Sequence, residues 1–297
     1  MVPDTPGPAR CLIGLIGTDV HGSLSPALHE AEADRRGIRL FYRTVDVREA
    51  VAAGVALPEL VRSAPALGFT GLNVTHPCKQ QVVPLMDRLS PEAAALGAVN
   101  TVTFTGTGAM GHNTDWWGFA MSLAHELPDA RRDRVLLLGA GGAGAAVGHA
   151  LLHTGTMSLY VTDPIPQRAA ELATAFNDRF GPGRATAVDA TQRTASEVDG
   201  IVNATPVGMA QSPGMPLPAE QLRPGVWVAD IIYRPLETAL LAAARAAGCR
   251  TLNGVGMLAF QAAAGFRLFT GVEPDPVRML ADLRRATGRP EDRPDPR

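Results

Sequence analysis

The chain is poor in several residues and patterns that mark common protein classes. Three cysteines, Cys11, Cys78 and Cys249, are too few and too scattered for a disulfide framework or a zinc knuckle. Aromatic residues make up only 5%, and no run of about 18 apolar residues occurs, so no segment reads as a membrane span. Lys plus Arg, 27, is balanced by Asp plus Glu, 29, for a formal net charge of -2, and no basic block stands out. That balance argues against nucleic acid as the main partner, because phosphate binding needs clustered cations. The first residues, Met-Val-Pro-Asp-Thr-Pro-Gly-Pro, have no basic region ahead of an apolar stretch and do not read as a secretion signal. The expected location is the cytoplasm. What remains is a chain of 297 residues, 46% hydrophobic, long enough for one large or two modest domains.

Its apolar segments alternate in character. Cys11–Ile16 is a short apolar run that reads as a buried strand, and Pro26–Arg36 has helical spacing, with Ser25 as its expected N-cap and Gly37 closing it. Phe41–Val47 and Gly71–Val74 read as strands, while Val99–Thr105 and Ala109–His112 flank Gly106-Thr107-Gly108 as a hairpin. Further on, Arg134–Leu138, Ser158–Thr162, Ile201–Asn203 and Val226–Asp230 read as strands. Helices are expected at Ala143–Thr154, Gln167–Phe180 and Glu237–Ala247. Such alternation implies crossover connections and a parallel sheet covered on both faces. The expected fold is therefore α/β in two domains, residues 1–112 and a doubly wound, Rossmann-like domain over residues 113–256. The helices at Met257–Thr270 and Pro276–Ala286 have no strand after them and are expected to pack back on the first domain, ahead of a flexible tail at 288–297.

Gly139-Ala140-Gly141-Gly142-Ala143-Gly144 follows a strand and opens a helix, fitting G-x-G-x-x-G. Its glycines allow a tight turn, a close approach to a pyrophosphate and close helix packing, and free N–H groups at the helix start face the anion. Asp163, about 20 residues on, ends the next strand, where a carboxylate accepts hydrogen bonds from ribose hydroxyls and repels a 2′-phosphate. NAD is favoured over NADP on that ground. Upstream, Ser23-Leu24-Ser25-Pro26 follows the first strand, and residues i and i+2 of an extended segment project to one side. Both hydroxyls then address one ligand group, and the following helix start favours a carboxylate.

Eight motifs occur in order: Ser23-x-Ser25-Pro26-x-x-His29, Leu72-Asn73-Val74-Thr75-His76-Pro77-x-Lys79, Gly97-Ala98-Val99-Asn100-Thr101, Gly111-His112-Asn113-Thr114-Asp115, the glycine run at 139–143, Asn203-Ala204-Thr205-Pro206-x-Gly208-Met209, Asp230-x-x-Tyr233-x-Pro235-x-x-Thr238, and Asn253-Gly254-x-x-Met257-x-x-x-Gln261-Ala262. In these the chain resembles the shikimate dehydrogenase family from about residue 11 to residue 287, and within it the NAD-preferring quinate/shikimate dehydrogenases. The resemblance implies reversible oxidation of shikimate to 3-dehydroshikimate, with Lys79 and Asp115 as the catalytic pair. It implies further that Ser23 and Ser25 hold the substrate carboxylate. Asn73, Thr75, Asn100 and Gln261 then bind ring hydroxyls, and Tyr233 closes over the site. Gly139, Ala140, Gly141, Gly142, Ala143, Asp163, Arg168, Ala204, Thr205, Pro206, Gly254 and Met257 fall to the cofactor. Neutral amides and hydroxyls suit a polyol, which needs both donors and acceptors.

Departures from the family pattern sharpen these expectations. Asp19 and Gly22 stand where relatives often have Pro and His, and Asp163-Pro164-Ile165 replaces the Asn-Arg-Thr of NADP users. Arg168, a turn later, leaves residual NADP use open. Quinate and an amino analogue of shikimate remain alternative substrates, a homodimer remains open, and a ligand-sensing module without catalysis is the rival of another class. His149 and His153, spaced i, i+4, read as ordinary helix residues, and His21, His29, His76 and His112 give no coordination signature. No metal is expected. Trp116 and Trp117 read as interdomain packing.

Overall fold

The computed structural model describes residues 10–189 and 197–288. Within them the chain forms two compact units, one running to Thr114 and resuming at Ala262–Ala286, the other covering Asp115–Gln261. The tail expected to be flexible lies, after Gly288, outside the described residues.

In the first unit β1 (Arg10–Gly17), α1 (Ser25–Arg35), β2 (Arg39–Asp46), α2 (Val47–Ala52), α3 (Leu57–Ser63), β3 (Gly71–Val74), β4 (Arg88–Leu89), α4 (Pro91–Leu96), β5 (Thr101–Thr105) and β6 (Gly108–His112) follow in order. They form one sheet ordered β2-β1-β3-β5-β6-β4. β1 is apolar on both faces and lies inside the sheet, parallel to β2 and β3. The hairpin at Gly106 turns β5 and β6 antiparallel, and β5 also runs antiparallel to β3. Ile16, Leu72, Val74 and Val102 pack with Leu57 and Val61 of α3 into one buried cluster. Cys11, Ile13 and Leu40 join Ala33 of α1 in another.

The second unit begins with α5 (Asp115–Glu126) and continues through β7 (Arg134–Leu138), α6 (Gly142–His153), β8 (Ser158–Thr162), α7 (Pro166–Phe180), β9 (Ala185–Ala187), β10 (Gly200–Asn203), β11 (Trp227–Asp230), α8 (Ala239–Ala246) and β12 (Arg250–Leu252). Its sheet, β12-β11-β10-β7-β8-β9, is parallel throughout. Numbered within the unit this is the 3-2-1-4-5-6 order of the doubly wound nucleotide-binding fold. Alternation along β7 explains the two layers of helices. Val135 and Leu137 pack into one buried cluster, Leu136 and Leu138 into the other, so both sheet faces are covered.

α9 (Gly254–Thr270) starts in the second unit, and from Ala262 onward it belongs to the first together with α10 (Pro276–Thr287). Phe266 and Phe269 enter the cluster with Cys11, Ile13 and Leu40. Glu32 of α1, fully buried, clasps this return. It accepts hydrogen bonds from Arg36 Nε at 2.9 Å, the Asp275 amide at 3.0 Å and Arg278 Nη2 at 3.0 Å to each oxygen. Burial pushes the Glu32 carboxyl up, but these donors outweigh it and hold the pKa below the ordinary value.

Two local expectations are corrected. Ser25 is the first residue of α1 and not its cap: Leu24 occupies the cap position without a side-chain bond, and the Ser25 amide donates to Ser23 Oγ at 3.2 Å. The helix expected from Glu237 begins at Ala239, because Thr238 caps it, its hydroxyl accepting from the Leu241 amide.

Candidate functional site

In the first unit the sheet register sets Asn73 of β3 opposite Thr101 of β5, with side chains on a shared face. Both are buried, and the side chains link up. Tyr42 Oη donates to Asn73 Oδ1 at 2.6 Å, and Asn73 Nδ2 donates to Thr101 Oγ1 at 3.2 Å and to the Asn100 carbonyl at 3.3 Å. Thr101 Oγ1 in turn donates to Asn100 Oδ1 at 3.1 Å, and Asn100 Nδ2 donates to Thr114 Oγ1 at 2.9 Å. The Thr114 amide also donates to Asn100 Oδ1 at 2.7 Å. Two of the expected hydroxyl-binding residues, Asn73 and Asn100, are thus joined in one network. Tyr42 was not among the expected site residues, and its place on β2 carries no motif that would single it out.

Thr75 lies just past β3, its amide donating to Ile16 O at 2.9 Å, which ties that turn to the end of β1. Ser23 and Ser25 come after the same end of β1, on the far side of a short 3-10 turn at Val20–Gly22. Lys79 follows in the turn after Thr75; it is half-buried, and its carbonyl accepts from the Val99 amide at 2.9 Å. It is the single lysine of the chain. That composition is a signal the motif reading passed over. Arginine serves every other cationic position, and arginine cannot give up its proton, whereas lysine can.

His29, one turn and a half into α1, is completely buried among Tyr42, Phe266 and Phe269, with ring centroids 5.2, 6.2 and 6.0 Å away. Neither ring nitrogen has a hydrogen-bond partner, and burial pushes its pKa down to about 4. It is a neutral wall residue behind Tyr42.

In the second unit Asp115 opens α5 and is buried. One turn on, a Cβ at Gly118 would stand 2.6 Å from Met257 O and 2.7 Å from Gln261 Cβ, so α5 and α9 meet closely there. Asp115, Met257 and Gln261 therefore sit on adjoining helices. The Gln261 amide nitrogen donates to Leu258 O at 3.1 Å. Trp116 joins the core of its own unit, its ring edge-on to His149 and His153 at 5.3 and 5.1 Å.

The glycine turn after β7 meets a test for a dinucleotide. Gly139 has φ +100°, and a Cβ on Gly144 would fall 2.0 Å from Gly139 O, so these two glycines are demanded by the turn itself. At Gly141 and Gly142 a Cβ would meet nothing within 4 Å. Those two hydrogens leave open space before the N-terminus of α6, where Gly141 caps with no side chain. A backbone cradle free of side chains at a helix start fits a pyrophosphate. Asp163, at the end of β8, accepts from the Ala140 amide at 2.8 Å and the Ile165 amide at 2.9 Å, so its charge is fixed beside the turn. Arg168 is exposed on α7.

The loops after β10 and β11 share one buried carboxylate. Asp230, 1% exposed, accepts from Thr238 Oγ1 at 2.7 Å and from Asn203 Nδ2 and the Ile232 amide at 3.1 Å. Burial raises its pKa against those bonds. Asn203 Oδ1 accepts from the Thr205 amide and hydroxyl, which sets Ala204, Thr205 and Pro206 beyond β10, and half-buried Tyr233 sits in the loop beyond β11. A Cβ at Gly254 would lie 2.0 Å from Ile231 O, so α9 starts hard against that same loop.

The matching family models name one family. Residues 15–102 match the shikimate dehydrogenase substrate-binding domain, and residues 254–284 the shikimate 5'-dehydrogenase C-terminal domain. The chain is 58% identical over 279 residues to a shikimate dehydrogenase (NADP(+)) of Streptomyces avermitilis, covering 93% of this chain and 96% of that one. It is 48% identical to a quinate/shikimate dehydrogenase (NAD(+)) of Corynebacterium efficiens, covering 91% and 96%. Among solved structures, quinate dehydrogenase from Corynebacterium glutamicum in complex with NAD superposes with a TM-score of 0.86 at 45% identity, covering 92% of this chain and 98% of that one.

Proposed function

The chain belongs to the shikimate dehydrogenase family, and from that premise we propose that it oxidises shikimate to 3-dehydroshikimate with NAD, using Lys79 and Asp115 as the catalytic pair. At the coarser level it is an oxidoreductase of the shikimate/quinate dehydrogenase type that works with a pyridine nucleotide. Its first unit is the substrate-binding part and its second the nucleotide-binding part.

Ser23 and Ser25 hold the substrate carboxylate, while Asn73, Thr75, Asn100 and Gln261 bind the ring hydroxyls under Tyr233. The cofactor, which supplies the hydride acceptor, is held by the turn of Gly139, Ala140, Gly141, Gly142 and Ala143, whose open cradle receives the pyrophosphate, and by Asp163, on which the Ala140 amide is already spent. Arg168, Ala204, Thr205, Pro206, Gly254 and Met257 complete its surroundings. Lys79 hydrogen-bonds the reacting hydroxyl oxygen and takes its proton as hydride leaves the same carbon, and Asp115 orients the amine. The observation that carries this reading is the lone lysine, retained at a motif position among arginines that cannot transfer protons. NAD is favoured because the Asp163 carboxylate is pinned where a 2′-phosphate would bring a second negative charge.

The deciding experiment is a matrix of NAD and NADP against shikimate, quinate and their amino analogues. The expected maximum of kcat/KM is NAD with shikimate. A higher value with quinate reverses the substrate order, and a higher value with NADP reverses the cofactor. No turnover with any pair leaves the ligand-sensing reading standing.

A further inference from the structure

The donors and acceptors around Asn73 have only one consistent polarity. The Asn100 carbonyl can only accept, so the Asn73 atom facing it is Nδ2, and Oδ1 faces Tyr42. Tyr42 must then donate. The same logic runs onward. Thr101 Oγ1 accepts from Asn73 and donates to Asn100 Oδ1 at 3.1 Å, with Thr114 Oγ1 a longer neighbour at 3.5 Å, and the Thr114 amide on Asn100 Oδ1 leaves Asn100 Nδ2 to donate to Thr114 Oγ1. A directed chain of hydrogen bonds therefore runs from Tyr42 through Asn73, Thr101 and Asn100 to Thr114, the residue before Asp115 in the sequence.

Tyr42 is itself fixed at both ends. Its amide donates to Glu30 Oε1 of α1 at 3.0 Å, and its ring packs on His29 of the same helix. At 2.6 Å the phenol bond is the shortest in the chain and its origin. Asn73 Nδ2 is spread over two bonds of 3.2 and 3.3 Å, which alone define the amide plane loosely.

We propose that Tyr42 is a positioning residue for substrate recognition: by capping Asn73 Oδ1 it completes the hold on the Asn73 amide, in the orientation that selects the hydroxyl pattern of a cyclic polyol. This deepens the function proposed above and rests on its placing Asn73 at the substrate. Removing the phenol oxygen leaves Asn73 Oδ1 without this donor and its amide held by the two longer bonds alone, a loss felt in substrate binding more than in chemistry.

The test is steady-state kinetics of Tyr42→Phe, Asn73→Ala and the double variant, with Tm measured for each. Tyr42→Phe is expected to raise substrate KM roughly 5- to 20-fold while kcat falls less than about 3-fold and KM for NAD stays put. In the double variant substrate KM is expected to match that of Asn73→Ala alone within about 2-fold, because the tyrosine acts through the asparagine. If Tyr42→Phe does not accumulate as folded protein, Thr101→Val breaks the same chain one link along and is expected to raise substrate KM likewise. Effects of Tyr42→Phe and Asn73→Ala that multiply, or a Tyr42→Phe enzyme with unchanged substrate KM and only a lower Tm, overturn the positioning role. An Asn73→Ala enzyme with unaltered substrate KM overturns the substrate-site reading beneath it, which is a separate result.

Discussion

His29 makes the first unit sensitive to acid in a way that can be calculated. Its imidazole is fully buried against Tyr42, Phe266 and Phe269, with no partner for either nitrogen, and burial lowers its pKa from 6.5 to about 4. The unfolded chain therefore takes up this proton between about pH 6.5 and pH 4 while the folded one does not. Stability from this group is complete above pH 6.5 and is lost as pH falls toward 4. Between pH 7.5 and pH 4.5 the loss is about 2.5 kcal/mol, from the ratio of the two titration curves at RT of about 0.59 kcal/mol. Replacing His29 with Leu removes the titration and the unpaired nitrogens together. The variant is expected to match or exceed the parent at pH 7.5, and to lead it by about 2.5 kcal/mol more at pH 4.5. Trp116, Trp117 and Trp227 all lie in the second unit, so fluorescence reports there. The first unit is followed by urea denaturation with far-UV circular dichroism, backed by amide exchange in α1 and β2. Parallel pH profiles for the two proteins would refute the reasoning.

Other outcomes follow from single contacts. Asp163→Asn keeps oxygen and shape at the end of β8 but removes the charge, and is expected to raise kcat/KM with NADP relative to NAD by about 10-fold or more, since repulsion of a second anion is relieved. An unchanged ratio removes Asp163 from cofactor choice. Gly141→Ala and Gly144→Ala separate ligand space from packing. The first, in open space, is expected to leave Tm alone and weaken NAD binding; the second, 2.0 Å from Gly139 O, is expected to lower Tm sharply. Equal melting temperatures would contradict that division. Glu32→Gln removes a buried charge from Arg36 and Arg278 and is expected to destabilise the first unit by about 2 kcal/mol, less than a fully buried pair because both arginines keep some water. A urea midpoint within error of the parent would exclude the clasp.

Much of the architecture was legible because it rests on periodicity and punctuation. Arg134–Leu138 and Ser158–Thr162 stand where their apolar runs place them, and Gly139 follows at once with the left-handed backbone its spacing implies. Short elements were not legible. α2, α3 and α4 have only 6, 7 and 6 residues, too few for a helical period to show, and β4, β9 and β12 have 2, 3 and 3. α5 lies just past the expected division at residue 112, where no element was expected. Within the site, residues carried by motifs could be named in advance, whereas Tyr42 owes its place to sheet register, and the burial of the motif residue His29 depends on the return of α9. Ser25 shows the limit of local reasoning: the Ser23 hydroxyl takes the Ser25 amide, which moves the helix start by one residue.

The central claim is that one amine moves the substrate's proton, and Lys79→Ala tests it most directly. Turnover of shikimate should fall roughly 10²- to 10⁴-fold while the Kd for NAD, read by titration calorimetry, stays within about 2-fold. A variant that turns over shikimate at the parent rate contradicts the account.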